Sequence, residues 1–220
     1  MLRLAASLSG DSAGGNLTAA VCLKLRDEKV VPAPRLQALI YPCLQCTDLN
    51  QPSYQQNKDG LMLSRRLMAE FWTIYATGEE RLASTMLRNR HVPEAAEDHL
   101  DHNHIDRKFR YKPYKPVAAS SSWEGDLGKH ADVLQNPYFA PLMAASLSDL
   151  PEVYMFTAQH DVLRDDGLLY VRRLREAGVK VTHKHCDIGY HGMISMFKDV
   201  PEANDCLMEM CSFLSVKFKV

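Results

Sequence analysis

Leu2, Leu4, Ala6 and Leu8 alternate with other residues at the head of the chain, which predicts a short strand over residues 2–9. After the glycines at 14 and 15, Leu17, Val21 and Leu25 recur at every fourth position beside Ala13 and Ala20. That period predicts a helix. "PRLQALIYP", residues 34–42, is a short apolar run between prolines and predicts a buried strand. Residues 46–63 are polar and turn-rich. Ser64 then stands where an N-cap belongs, before a helix whose apolar stripe includes Leu67, Phe71, Ile74 and Tyr75.

From about residue 79 to 135 no clean period holds. This segment predicts short helical pieces and a polar, aromatic stretch, "FRYKPYKPVAASSSWEGD". Order then returns. "PEVYMFTAQHD" predicts a strand ending at residues 159–161. "DDGLLYVRRLREAG" predicts a helix with acids in its first turn, arginines in its last and Gly178 as terminator, matching the helix dipole at both ends. "VKVTHKHCD" predicts a strand, and residues 202–217 a closing helix. The sum is an α/β fold of about four parallel strands with flanking helices. It forms one domain over residues 1–220, with a helical and irregular insertion at about 46–135.

The composition suits a globular domain with one sizeable core: 220 residues, 46% hydrophobic and 24% charged. A net charge of −1 with no basic stripe argues against nucleic acid as a partner. No apolar run approaches the ~18 residues needed to cross a membrane. Arg3 breaks "LRLAASLS", so the start does not read as a signal peptide. Cys43-x-x-Cys46 has no second pair at zinc spacing, so the six cysteines read as buried or partly exposed thiols.

Gly10-x-Ser12-x-Gly14 fits G-x-S-x-G, which random placement yields in roughly one chain of this length in fifteen. Context sharpens it, because the motif ends a strand and opens a helix. In such a turn two glycines make room for a strained serine whose hydroxyl projects above the sheet. The helix N-terminus aims backbone N–H groups at charge forming on Ser12. A serine nucleophile needs a base, and the base needs an orienting acid. Asp161 at the end of "YMFTAQHD" and His191 in "DIGYHGM" stand at the ends of successive strands and fit as acid and base. Asp165 and Asp166 read instead as helix N-terminal charges. His183 and His185 point to one face of a strand, and His160 faces away from the site. Asp187 and Tyr190 either shape the histidine loop or lie on the surface. A rival is the cluster His99, His102, His104 and Asp106 in "DHLDHNHID", which has metal-ligand spacing but charged, polar flanks and no preceding strand. It reads as a solvated helix-to-loop segment.

"SGDSAGGNL", "QALIYPCLQ", "PSYQQN", "QHDVLRDDG", "YVRRLREAGVKV" and "GYHG" together resemble the hormone-sensitive-lipase branch of the α/β-hydrolases. Within it they resemble the arylacetamide deacetylase and neutral cholesterol ester hydrolase group. The resemblance runs from residue 9 to the C-terminus and is weakest across 79–150 and after 192. It implies a serine esterase for short acyl esters, arylacetamides or lipid esters, with no metal or cofactor. Ser12 would be nucleophile, Asp161 acid, His191 base and the Ala13 N–H an oxyanion donor, with Gly10, Asp11, Gly14 and Gly15 forming the elbow. The helix at 64–77 would wall a substrate pocket with Phe71, Trp72 and Tyr75, or else simply pack in the core. Met193 and Met196 pose the same choice. The resemblance also implies attachment to the endoplasmic reticulum membrane with the catalytic domain in the lumen.

Against that family the sequence departs in several places. It holds no His-Gly-Gly stretch to supply further oxyanion donors, no membrane anchor, no cap helices and no counterpart of the first four strands. The middle region reads Asn103-His104-Ile105, without the sequon of luminal members, and the single sequon Asn16-Leu17-Thr18 lies one turn into a helix. The chain thus resembles the C-terminal part of such an enzyme. Loss of one oxyanion donor typically costs ~10²–10³ in rate, about 2.7–4 kcal/mol. The expectation for the chain alone is weak activity and low stability, with an open edge before Ser12. The alternative is a non-catalytic product.

Overall fold

The computed structural model describes residues 6–89, 91, 97–110, 114, 115 and 125–218. Four strands form one parallel sheet in the order β1 (Ser7–Asp11), β2 (Leu36–Ile40), β3 (Glu152–His160) and β4 (Val181–Tyr190). Helix α1 (Ala13–Asp27) joins β1 to β2. Between β2 and β3 lie α2 (Pro52–Gln56), α3 (Arg65–Thr77), α4 (Ala83–Leu87), α5 (Glu97–Leu100) and α6 (Ala131–Leu134). Helix α7 (Arg164–Glu176) links β3 to β4, and α8 (Pro201–Phe218) follows β4.

Alternation along the strands sorts side chains to two faces. Leu39, Val153 and Met155 pack under Ala19, Leu23, Leu169 and Leu174 of α1 and α7. Ala38, Ile40, Tyr154 and Phe156 pack with Ala203 and Cys206 of α8. A sheet covered on both faces buries every position of an inner strand, hence the unbroken burial of β2, whose one polar residue, Gln37, donates to the Pro151 carbonyl at 3.5 Å.

Several elements differ from the sequence reading. The first strand runs Ser7–Asp11, so it enters the Gly-Asp-Ser motif, while Leu2 and Leu4 lie outside the described residues. So does most of the stretch after Arg110. Leu17 and Val21 of α1 face outward, and the helix buries Asn16, Ala19, Cys22 and Leu23 instead. On α3, Phe71, Ile74 and Tyr75 are half exposed while Met68, Ala69, Trp72 and Thr73 are buried. Ser64 does cap α3, its Oγ accepting from Leu67 N at 3.1 Å. The polar segment from residue 46 is not surface: residues 36–54 are buried without a break.

That burial has a source in α7. Asp165 and Asp166 occupy its first turn, as expected for dipole-matched acids, but both are buried and act as anchors. Asp166 accepts from Leu44 N at 3.0 Å and Gln45 Nε2 at 2.9 Å. Asp165 accepts from Ser53 N at 2.6 Å and Arg164 Nε at 2.9 Å. The connection from β2 through α2 is thereby tied to the start of α7. β4 extends past the expected residue 187, and an irregularity in its pairing with β3 beyond Ala158 brings its end, Tyr190, opposite His160.

Candidate active site

Three strand ends converge at the C-terminal edge of the sheet. Ser12, between β1 and α1, has φ 51 and ψ −118, a strained backbone for a non-glycine residue. Its Oγ lies 2.9 Å from His191 Nε2. His191, directly after β4, places Nδ1 2.8 Å from Asp161 Oδ2. Asp161, directly after β3, is 1% exposed, and its other oxygen accepts from Leu163 N at 2.9 Å. The carboxylate thus has one oxygen fixed by backbone and one left for the imidazole. Asn57, at the end of α2, donates from Nδ2 to the Asp161 carbonyl at 3.0 Å and to the Gln159 carbonyl at 3.3 Å. These bonds set the position of the loop that carries the acid.

The glycines of the turn have distinct duties. A Cβ on Gly10 would lie 2.2 Å from the Gly14 carbonyl oxygen, and one on Gly15 2.8 Å from Pro42 Cβ. Gly14 has open space, its nearest such contact being Asp11 Oδ1 at 4.0 Å. The tight pair is therefore Gly10 and Gly15, not the two glycines of the G-x-S-x-G pattern. Ala13 opens α1, where the first N–H groups have no partner within the helix.

A cavity of about 490 Å³ opens beside Ser12 and His191. Phe71, Trp72 and Tyr75 line it, joined by Leu67 and Met68 from α3, Met62 and Leu63 before it, and Leu17 from α1. This accounts for much of the outward stripes: Phe71 and Tyr75 on one helix and Leu17 on the other face the cavity rather than the core, while Leu67 touches both. Tyr75 stacks on Phe139 with centroids 4.9 Å apart, and Trp72 meets the same ring at 5.1 Å. The wall is therefore backed from behind. Asn16 also lines the cavity; its amide is committed to the carbonyls of Cys43 and Phe139, each at 2.9 Å, which fixes the sequon asparagine inside the fold. Met193 is not among the lining residues. It is buried on the α8 side of the sheet, its Sδ pressed toward Gly189 beside Ala158 and Cys186. Met196 instead accepts from the Tyr190 hydroxyl at 3.1 Å.

The other titratable candidates fall elsewhere. His183 and His185 share the Thr157 hydroxyl, each at 2.8 Å, and burial pushes both imidazoles down to about 4. His160 lines a separate polar cavity with Tyr190 and Asn57. Asp187 is exposed, 3.6 Å from His185. Cys43 and Cys46 are free, buried thiols whose ionisation burial opposes, and Cys46 donates to the Leu134 carbonyl. Among the described residues, no three His, Cys, Asp or Glu side chains gather as a metal site, His99, His102, His104 and Asp106 included. Sequence patterning alone does not place Asn16, Leu17, Cys43, Met62, Leu63, Leu67, Met68 or Asn57 at the site. The i, i+4 stripe of α3 was the signal available for Leu67. Nothing local marks Asn57.

Comparison with known proteins agrees with this architecture. A family model described as the alpha/beta hydrolase fold matches residues 5–95 and 91–195. The arylacetamide deacetylase of Rattus norvegicus is 42% identical over 197 residues, covering 86% of this chain and 49% of that protein. Neutral cholesterol ester hydrolase 1 of Bos taurus is 39% identical over 194 residues, covering 84% of this chain and 47% of that protein. A solved fungal esterase from Rhizomucor miehei superposes with a TM-score of 0.64 at 27% identity, covering 96% of this chain and 49% of that one. The chain spans about half the length of the curated relatives it matches. With strands, turn and family model in agreement over most of its length, the chain belongs to the α/β-hydrolase fold family.

Proposed function

We propose that this chain carries the catalytic triad of a serine carboxylic-ester hydrolase for apolar esters or arylacetamides. The observation that carries the proposal is the continuous line Ser12 Oγ–His191 Nε2–His191 Nδ1–Asp161 Oδ2, with steps of 2.9 and 2.8 Å. His191 takes the hydroxyl proton as Ser12 Oγ attacks the substrate carbonyl. Asp161 holds the imidazole in the tautomer that leaves Nε2 free to accept and stabilises the imidazolium that forms. The Ala13 N–H and the N-terminal end of α1 face the oxyanion. His191 then hands its proton to the leaving alcohol or amine, leaving an acyl-Ser12 ester. Water, activated by the same imidazole, releases the acid and restores Ser12.

The substrate class follows from the cavity beside Ser12, whose walls are almost wholly apolar or aromatic. An acyl chain or aryl group fits such walls, whereas a charged group would lose its hydration there. The names of the relatives, arylacetamide deacetylase and neutral cholesterol ester hydrolase, favour the same class. Among the described residues no helix is long and apolar enough to cross a membrane. Residence on the luminal side of the endoplasmic reticulum membrane is proposed from the family resemblance alone.

Turnover of a series of p-nitrophenyl acyl esters by the chain and by Ser12→Ala tests the reading. Turnover abolished in Ser12→Ala, at unchanged melting temperature, supports it. Turnover retained in Ser12→Ala refutes it.

A further inference from the structure

One residue beside the triad is held against its own preferences. Tyr41 follows β2 directly and has φ 34, a region that bulky L side chains rarely enter. It also precedes Pro42, and the residue before a proline is pushed toward extended backbone. A conformation disfavoured twice persists only where its surroundings fix it. Here they do. The Tyr41 N–H donates to the Phe156 carbonyl of β3 at 2.8 Å. One residue earlier, the Ile40 carbonyl accepts from Ser12 N at 2.9 Å. One residue later, Pro42 presses on Gly15 of α1.

The side chain is buried and turned to the histidine. Its ring centroid lies 4.9 Å from that of His191, with the planes at 54°. On its other side it meets Phe156 edge to face at 6.0 Å. Its hydroxyl end lies toward Ser195 and Ile194, in the turn that follows His191. That turn begins at Gly192, with φ 78, and is closed by the Ser195 N–H donating to the Gly192 carbonyl at 3.0 Å. The bond from His191 Nδ1 to Asp161 fixes one point of the imidazole but leaves the ring free to pivot about it. The Tyr41 ring against one side of the imidazole removes that freedom.

We infer that Tyr41 is a positioning residue for His191, its ring backing the imidazole. The reach from Ser12 Oγ to His191 Nε2 is thereby set from β2, a strand that contributes no member of the triad. The inference rests on the proposed roles of Ser12 and His191.

Three quantities test it: kcat and KM for a p-nitrophenyl ester, the rate of Ser12 phosphonylation by a fluorophosphonate, and the low-field N–H resonance of the His191 imidazole. They are measured on the chain and on Tyr41→Phe, Tyr41→Leu and Tyr154→Leu. Tyr154 is the control, an equally buried tyrosine on β3 that packs on Phe213. Loss of the ring in Tyr41→Leu lowers kcat and phosphonylation about 100-fold at unchanged KM, as an ångström-scale misplacement does, and broadens the resonance. Tyr41→Phe keeps the ring and leaves the resonance sharp. Tyr154→Leu changes none of the three. A folded Tyr41→Leu within roughly two-fold of the chain, or a loss equalled by Tyr154→Leu, overturns the inference. Should Tyr41→Leu fail to fold, Tyr41→Met, which also lacks a ring, decides by the same thresholds. Should the chain itself react with neither ester nor phosphonate, the proposed activity fails, and the resonance still decides: broadened in the ring-less variant it supports the positioning role, unchanged it overturns it.

Discussion

The backbone N–H of Ser12 donates to the Ile40 carbonyl at 2.9 Å, one step beyond the β1–β2 pairing of Asp11 with Ile40. The ladder thus continues into a residue whose φ of 51 a strand would not tolerate. The cost of that conformation is borne by the close approach of Gly10 to Gly14 and of Gly15 to Pro42. Gly10→Ala forces a Cβ to 2.2 Å from a backbone oxygen and is expected to cost about 3 kcal/mol or more. Gly14→Ala meets no such atom and stays within about 1 kcal/mol of the parent. Urea unfolding of the two variants checks the contrast; equal losses would show that the turn is not sterically closed at Gly10.

The Asp161 loop is held by an asparagine, Asn57. Asn57→Ala removes the amide that bonds the carbonyls of Asp161 and Gln159. Each carbonyl keeps a bond from Arg164, so the cost is that of two hydrogen bonds, about 1–3 kcal/mol together. A shifted acid loop also lowers kcat about 10-fold at unchanged KM. Steady-state kinetics beside a melting curve separate the two effects. Unchanged kcat in a folded variant would show that α2 does not set the acid.

Asp166 gives the fold a pH dependence with a defined sign. Burial pushes its carboxyl up to about 8, while in the unfolded chain it titrates near its ordinary value of about 3.9. Between these values the folded state keeps a proton that the unfolded state has released. Its contribution to stability is complete below the lower value and is lost as pH rises toward the higher one. Asp166→Asn cannot titrate, so its melting temperature falls less between pH 5 and pH 8 than that of the parent. It is also less stable at pH 5, because Leu44 N and Gln45 Nε2 donate to different oxygens of Asp166, and an amide turns one of those acceptors into a donor. Parallel pH profiles for the two proteins would contradict the buried, proton-holding carboxyl.

What the sequence reveals and what it hides divide along the range of the interactions. Ser12, Asp161 and His191 each end a strand, in a fixed order, and the strands announce themselves by local patterning. The burial of residues 46–54 does not, because polar residues there look like surface. They are buried only because Ser53, Leu44 and Gln45 find Asp165 and Asp166 more than 100 positions away. Periodicity correctly marks α1 and α3 but is blind to what an apolar stripe faces. Leu17, Phe71 and Tyr75 look into a cavity, and no local pattern separates a cavity wall from a core. Tyr41 is hidden for a related reason, since a left-handed tyrosine before proline contradicts local preference and is imposed by tertiary contacts.

The cavity wall predicts a split between two neighbours on α3. Phe71 is 50% exposed and Trp72 is 2% exposed, yet both line the cavity. Phe71→Ala is expected to raise KM for long-chain or aryl esters several-fold with about 1 kcal/mol or less of lost stability. Trp72→Ala empties a packed site against Phe139 and costs about 3–5 kcal/mol. Ester kinetics and chemical unfolding check both. A Phe71→Ala protein with unaltered preference along an acyl-length series would remove α3 from the substrate site.

The proposed chemistry makes Ser12 a nucleophile activated by His191, whose imidazole Asp161 orients. Intact-mass analysis after exposure to an alkyl fluorophosphonate, with peptide mapping of the adduct, tests it most directly. The triad predicts one adduct per chain, located on Ser12, abolished by His191→Ala and slowed by orders of magnitude in Asp161→Asn. An adduct on another residue, or labelling of Ser12 at the same rate without His191, would contradict it.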